Sequence, residues 1–147
     1  MKRIPATRKE LKLSFRHHYF IYKKLNGDTT LNPRTKRLIL FYSVESGLKC
    51  FLLNKIQKNT TNDLEKHPDY SYLEKHGHDI RNLIKSVNLG DEANYQLKSF
   101  VLQRYGKIEP DQLHQIWRYG IETKDLDYEN KSEKVLQNIA NWLESHI

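Results

Sequence analysis

Residues 33–58 carry so many apolar side chains at helical spacing that the rest of the chain must fold around them. Leu38, Phe41, Val44, Leu48, Phe51, Leu52 and Ile56 recur at intervals of one, three and four, as one face of a helix does. Ile39, Leu40, Tyr42 and Leu53 widen that face almost around the cylinder. A helix apolar on most sides has to be covered on most sides. Asn32 and Pro33 mark its start, a side-chain cap followed by the one residue with no N–H to leave unsatisfied. Gly47 at its centre gives up about 1 kcal/mol of helix propensity relative to Ala, which predicts that another helix crosses closely there. A membrane span needs about 20 mostly apolar residues, and Ser43, Glu45, Ser46 and Lys49 interrupt this run, so it reads as a core helix.

The flanking segments repeat the helical period. Thr7-Arg8-Lys9-Glu10 is a capping box opening a first helix that runs to about residue 24 and stops at Asn26-Gly27-Asp28. Residues 58–70 are polar, contain His67-Pro68 and read as a loop with room for one short turn. Leu73, Gly77, Ile80, Leu83, Ile84 and Val87 form a seam closed by Asn88-Leu89-Gly90. A fourth helix is expected from Asp91, with Leu97, Phe100, Val101 and Tyr105 in register and Gly106 at its end. A short fifth runs from Glu109-Pro110-Asp111 through Trp117-Arg118-Tyr119 to Gly120, and residues 132–147 give a last amphipathic helix. The expectation is an all-α fold, a single helical domain over residues 1–147 built as a bundle of five to six helices.

The 147 residues match one ordinary domain, with no repeat and no Pro- or Gly-rich linker. The basic start, MKRIPATRKELKL, has no apolar stretch behind it, so a signal peptide is not read there and cytoplasmic residence is expected. The lone Cys50 rules out a disulfide framework and reads as a small buried hydrophobe. Twenty-five Lys and Arg against 18 Asp and Glu leave a charge of +7, a bias toward polyanions through counterion release.

Three polar groups could carry chemistry. The densest is His76-Gly77-His78-Asp79 with Arg81, Asn82 and Lys85; helical spacing would turn His78, Arg81, Asn82 and Lys85 away from the apolar seam, as a phosphate-binding face or simply as a solvated one. The second is His114, Trp117, Arg118 and Tyr119. Here the aromatics could stack on bases while Arg118 meets phosphate, or Trp117 could anchor the helix and Arg118 pair with a carboxylate. The third is the basic strip of the first helix, Lys9, Lys12 and Arg16 with His17 or Lys23, as candidate phosphate contacts or simply as a solvated face. Two histidines two apart can hold a metal, but no second set of ligands completes a site, and no Gly-rich phosphate loop or metallopeptidase motif occurs; neither metal nor cofactor is expected.

Phe41-Tyr42-Ser43-Val44-Glu45-Ser46-Gly47-Leu48-Lys49-Cys50-Phe51-Leu52-Leu53, followed by Gly77-His78-Asp79-Ile80-Arg81-Asn82-Leu83-Ile84, resembles the HEPN-domain superfamily. Its second helix often carries "Glu, small, small, Leu-Lys", and its next long helix a "Gly-His-Asp-Leu" start. Trp117-Arg118-Tyr119-Gly120 is similar to an "Arg-Tyr" near the end of such domains. The resemblance implies a helical bundle and a setting in bacterial toxin–antitoxin or antiphage defence systems. Many members are dimeric, metal-independent ribonucleases in which an Arg and a His separated from it by four to six intervening residues meet across the interface. None of the eight Arg here has that spacing; Ser86, Val87 and Asn88 stand where Arg81 would need a His. The expectation is therefore a HEPN-like module that binds RNA or a protein partner, a homodimer included. The alternatives are a ribonuclease with a rearranged site from His78, Arg81 and Arg118, and an assembly subunit with no nucleic-acid role. RNA contacts are expected from Lys9, Lys12, Arg16, Arg81, Asn82, Lys85, Arg118 and Tyr119.

Overall fold

The computed structural model describes residues 4–75, 77–90, 92–102, 105–123 and 126–147, with the side chains of 92 and 126 excepted. Eight α-helices are found among them: α1 (Arg8–Leu25), α2 (Pro33–Ile56), α3 (Thr61–Lys66), α4 (Tyr72–Lys75), α5 (Ile80–Val87), α6 (Glu92–Tyr95), α7 (Leu113–Tyr119) and α8 (Leu126–Glu144). A two-stranded hairpin, β1 (Phe100–Leu102) and β2 (Gly106–Ile108), interrupts the helical run. The fold is all-α in its main body, as a helical bundle should be.

The start signals of α1 and α2 work as the sequence predicts. The Thr7 hydroxyl accepts from the Glu10 N–H at 3.1 Å and the Glu10 carboxylate accepts from the Thr7 N–H at 3.0 Å. Asn32 Oδ1 accepts from the Arg34 N–H at 2.9 Å, with Pro33 at the first helical position. Helix α2 is about 36 Å long and forms the axis of the molecule. Leu40, Phe41, Val44, Leu48, Leu52 and Leu53 along it have no exposed surface. α1 packs antiparallel along one side, α8 along the next, α5 and α7 on the third, and α3 at one end. The stripe Ile39, Tyr42, Ser46 and Lys49 stays partly open, as do Leu38, Phe51 and Ile56.

The close crossing expected at Gly47 is real and double. A Cβ placed there would lie 2.7 Å from Leu143 Cδ1 on α8 and 3.0 Å from Phe15 Cδ2 on α1. Overpacking of this kind costs about 1–3 kcal/mol, against about 1 kcal/mol of helix propensity gained. Gly47→Ala is therefore expected to lower the urea midpoint. A raised midpoint would mean that the crossing is slack.

Four segments depart from the sequence reading. The loop expected over 58–70 holds α3, whose Thr60 and Asp63 form a second capping box; Ala6, Arg8, Asn59 and Thr61 tie the two helix starts together through backbone hydrogen bonds. The single third helix is split into α4 and α5, because Asp79 caps a new start by accepting from the Asn82 N–H. The expected fourth helix shrinks to α6 and the hairpin. Phe100 and Ile108 pair across it, Val101 is exposed rather than in a helical seam, and Gly106 takes a φ of +75° at the turn. Asp91, the expected start of that helix, lies outside the described residues. Finally, α8 begins at Leu126 rather than at 132, since Glu129, Ser132 and Glu133 are buried on its inner side.

That inner side holds a polar network. Arg37 of α2 donates to Glu133 at 2.7 Å and to Asn130 at 2.7 Å, with Glu129 at 3.6 Å. Tyr22 of α1 donates to Glu133 and accepts from Gln137 at 2.6 Å. Glu129 also accepts from Trp117 Nε1 at 3.2 Å and from the Thr123 hydroxyl at 3.0 Å, so α7 is locked to α8.

Candidate functional site

Glu45 sits on α2 at 7% exposure, amid apolar neighbours. A carboxylate in such a place needs partners, because burying an unpaired charge is costly. It has two: Lys49, one turn on at 3.7 Å, and His78, whose Nδ1 lies 2.6 Å from Glu45 Oε1. His78 is not part of a helix. It stands in the turn before α5, which frees the ring to swing across to α2 while Ile80, Leu83 and Ile84 bury in the core.

An ionised carboxylate has no proton to give, so the bond requires N–H on Nδ1 and leaves Nε2 as the outward nitrogen. The His78 side chain is 52% exposed. Its other face rests against His114 of α7, with ring centroids 4.6 Å apart, and Tyr42 lies 6.1 Å away. His114 is buried and packs on Phe41 at 5.3 Å; its Nδ1 has no well-formed hydrogen bond. Burial pulls the His114 pKa below the ordinary histidine value, and positive charge on His78 and Arg118 adds to this; the Asp111 carbonyl and Glu45 oppose it without prevailing. His114 is thus a neutral platform beneath an exposed imidazole.

Arg118 completes the face. It is exposed at the last turn of α7, its guanidinium lies 5.8 Å from the centre of the Tyr119 ring, and it makes no ion pair among the described residues. Its charge acts on both Tyr42 and His114, the same neighbours that His78 touches. Trp117 takes the anchoring role instead of a stacking one, being 3% exposed and bonded to Glu129.

The other candidates from the sequence go elsewhere. Arg81 does not join His78: its guanidinium pairs with Glu109 at 2.9 Å, since α5 directs residue 81 toward the segment after the hairpin. Asn82 donates to Asp79 at 2.7 Å, and so stabilises the start of its own helix. Lys85 is exposed and lines a small cavity with Asn88 and Tyr95. His78 therefore leaves the face expected for His78, Arg81, Asn82 and Lys85, while Arg81 and Lys85 line one small cavity together. Lys9 and Arg16 are exposed and Lys12 half-buried along α1, with no contact to the His78 group among the described residues. His76 lies outside the described residues.

Glu45 is visible in the sequence but not as a site residue, a lone carboxylate within an apolar helical run being the available signal. His114 falls in one group with Trp117, Arg118 and Tyr119 in the sequence, but nothing local sets it against His78, because its place depends on how α7 crosses α2.

No protein-family model matches the chain, and no curated protein or solved structure is detectably similar to it. No helix among the described residues is long and apolar enough to cross a membrane.

Proposed function

We propose that the chain is a HEPN-like helical module that binds RNA on the face formed by Tyr42, Lys49, His78, Arg118 and Tyr119. It acts in the cytoplasm as a component of a bacterial toxin–antitoxin or antiphage defence system. One observation carries the reading: an exposed imidazole held by Glu45 rests on His114, a ring that the charge of Arg118 also reaches, and Arg118 has no ion-pair partner among the described residues of a chain of charge +7. A guanidinium without an ion pair suits a phosphate, and the surplus charge draws a polyanion to it. The Glu45–His78 bond also joins the two sequence patterns on which the HEPN resemblance rests.

Binding of a labelled single-stranded RNA should fall about sevenfold between 50 and 200 mM salt if two phosphates are contacted. Arg118→Ala should weaken it about tenfold and flatten the salt slope. Absence of RNA binding at low salt would sink the reading and leave a protein partner or second copy as the ligand.

A second reading, cleavage without metal, is favoured by the 2.6 Å bond that fixes His78. Here Nε2 takes the proton of a ribose 2′-hydroxyl, the 2′-oxygen attacks the adjacent phosphorus, and the bond to the 5′-oxygen breaks. Arg118 steadies the charged phosphorane, and the leaving 5′-oxygen takes a proton from water, giving a 2′,3′-cyclic phosphate. Incubation with RNA in EDTA should then give cleavage that His78→Ala abolishes. Glu45→Gln should reduce the rate and shift its pH profile, while 2′-O-methyl RNA should survive. Cleavage unchanged by His78→Ala rejects this site.

A further inference from the structure

We propose that the outer side of α1, centred on Leu13 and Phe20, is the docking surface for an acidic amphipathic helix of a partner protein.

α1 gives one apolar stripe to the core: Leu11, Phe15, Tyr19 and Tyr22 are buried. A helix so placed ordinarily turns a charged face to solvent. Here two large apolar residues stand in the middle of that outer face, Leu13 at 57% exposure and Phe20 at 56%. Seven residues apart, they lie two turns along one line of the helix, about 10 Å from each other. Lys9, Arg16 and Lys24 share that line: the helical period sets them before, between and beyond the pair, and all three are exposed. The Lys24 ammonium lies 5.3 Å from the centre of the Phe20 ring. A single exposed apolar residue needs no explanation, whereas a pair in helical register ringed by like charges has the pattern of an interface centre with its polar rim.

The charge says what covers the pair. α1 has six cations and one carboxylate, Glu10, which is occupied by the capping box at Thr7. Lys23 is paired with Glu144 at 3.2 Å, and Arg8 donates to Asn54 at 3.0 Å. Lys9, Lys12, Arg16 and Lys24 make no ion pair among the described residues. A partner that buries Leu13 and Phe20 must answer these charges, so its own apolar stripe has to be flanked by Asp or Glu. A helix meets the shape as well, since the ridge on α1 seats in the groove beside a ridge of another helix. A second copy laying the same face on itself would set Lys and Arg against one another. An RNA strand would use the cations but leave Leu13 uncovered, with no ring there on which a base could lie. A bilayer takes up a broad apolar face, and α1 has already given its own to the core. None of these residues touches the His78 group among the described residues, so the partner docks whether or not RNA is bound there.

The test is fluorescence anisotropy at low salt with the full chain and a labelled peptide of three heptads, Leu at the first and fourth position of each and Glu or Ala elsewhere. A peptide of the same composition with its Leu residues scattered around the helix is the control. The patterned peptide should bind about tenfold tighter than the scattered one, because only it presents a stripe to the Leu13–Phe20 pair. Leu13→Ser with Phe20→Ser should weaken that binding about tenfold, and Lys9→Glu with Arg16→Glu should do the same and flatten its salt dependence. Melting temperatures should stay close to wild type, since all four positions are exposed. No binding of the patterned peptide, equal binding of the two peptides, or binding unchanged in Leu13→Ser with Phe20→Ser overturns the proposal. So does a loss, in that same variant, of affinity for single-stranded RNA or for phosphatidylserine vesicles, which would give the face to a nucleic acid or a membrane. Peptide binding as expected beside no RNA binding at all supports the docking surface and rejects only the RNA reading.

Discussion

Replacing Arg37 with Ala is expected to lower the unfolding free energy by about 3–5 kcal/mol, the usual loss when one member of a buried ion pair is removed. Arg37 is 7% exposed, and its loss strips Glu133 of its closest cation, takes a positive charge from beside Glu129 and leaves Asn130 with one donor fewer. The residual cation, Lys36, is 3.5 Å from Glu133 and cannot replace two directed N–H bonds. Urea unfolding measures the change, and a loss below about 1 kcal/mol would show that the network is slack.

The same variant carries a pH signature. Burial pushes the Glu133 carboxyl up, but hydrogen bonds from Tyr22 and Arg37, with the charges of Arg37 and Lys36, outweigh it and hold the group below the ordinary glutamate value. A carboxylate with a depressed folded pKa adds stability above its unfolded value, about 4.3, and that contribution is lost as the pH falls through the lower folded value. The gap between wild type and Arg37→Ala should accordingly narrow in acid.

Truncating Phe41 to Ala is expected to cost about 3–5 kcal/mol, as for other fully buried aromatics. Phe41 has no exposed surface and lies beneath the site, 5.3 Å from the His114 ring and edge-on to Trp117 at 6.4 Å. It touches neither His78 nor Arg118 through any ring or polar contact found among the described residues. Its removal should nonetheless lower RNA affinity, because α7 carries His114, Arg118 and Tyr119 and would lose its seat on α2. Phe41→Leu, which keeps most of the volume, should recover most of both losses. Full RNA affinity in a destabilised Phe41→Ala would separate the site from its support.

The parts of this fold that sequence reasoning reached are those fixed by local chemistry. Thr7 with Glu10, and Asn32 with Pro33, act within four residues of themselves, and the 3.6-residue stripe of α2 follows from hydrophobicity alone. The hairpin was missed because Phe100, Val101 and Tyr105 are spaced so that either period can be read through them. Pairing between Phe100 and Ile108, together with the left-handed Gly106, decides for the strand. The division between α4 and α5 is likewise a matter of one side chain, Asp79, capping a start within what looked like one seam. In the site, Glu45, His78, His114 and Arg118 belong to three separate parts of the chain. Arg81 shows the same limit from the other side: close to His78 in sequence, it is drawn off by Glu109, 28 residues away.

The position of α2 has a consequence for synthesis. Its last turn is made by residue 56, whereas α8, which covers its flank at Gly47, begins at residue 126. At about 5–20 residues per second, a nascent chain carries that uncovered apolar flank for some seconds while the intervening 69 residues emerge. α1, and then α3, α5 and α7, cover other sides in that interval but not this one, so a chain stalled before α8 is the species in which ribosome-associated chaperones would find a sticky surface.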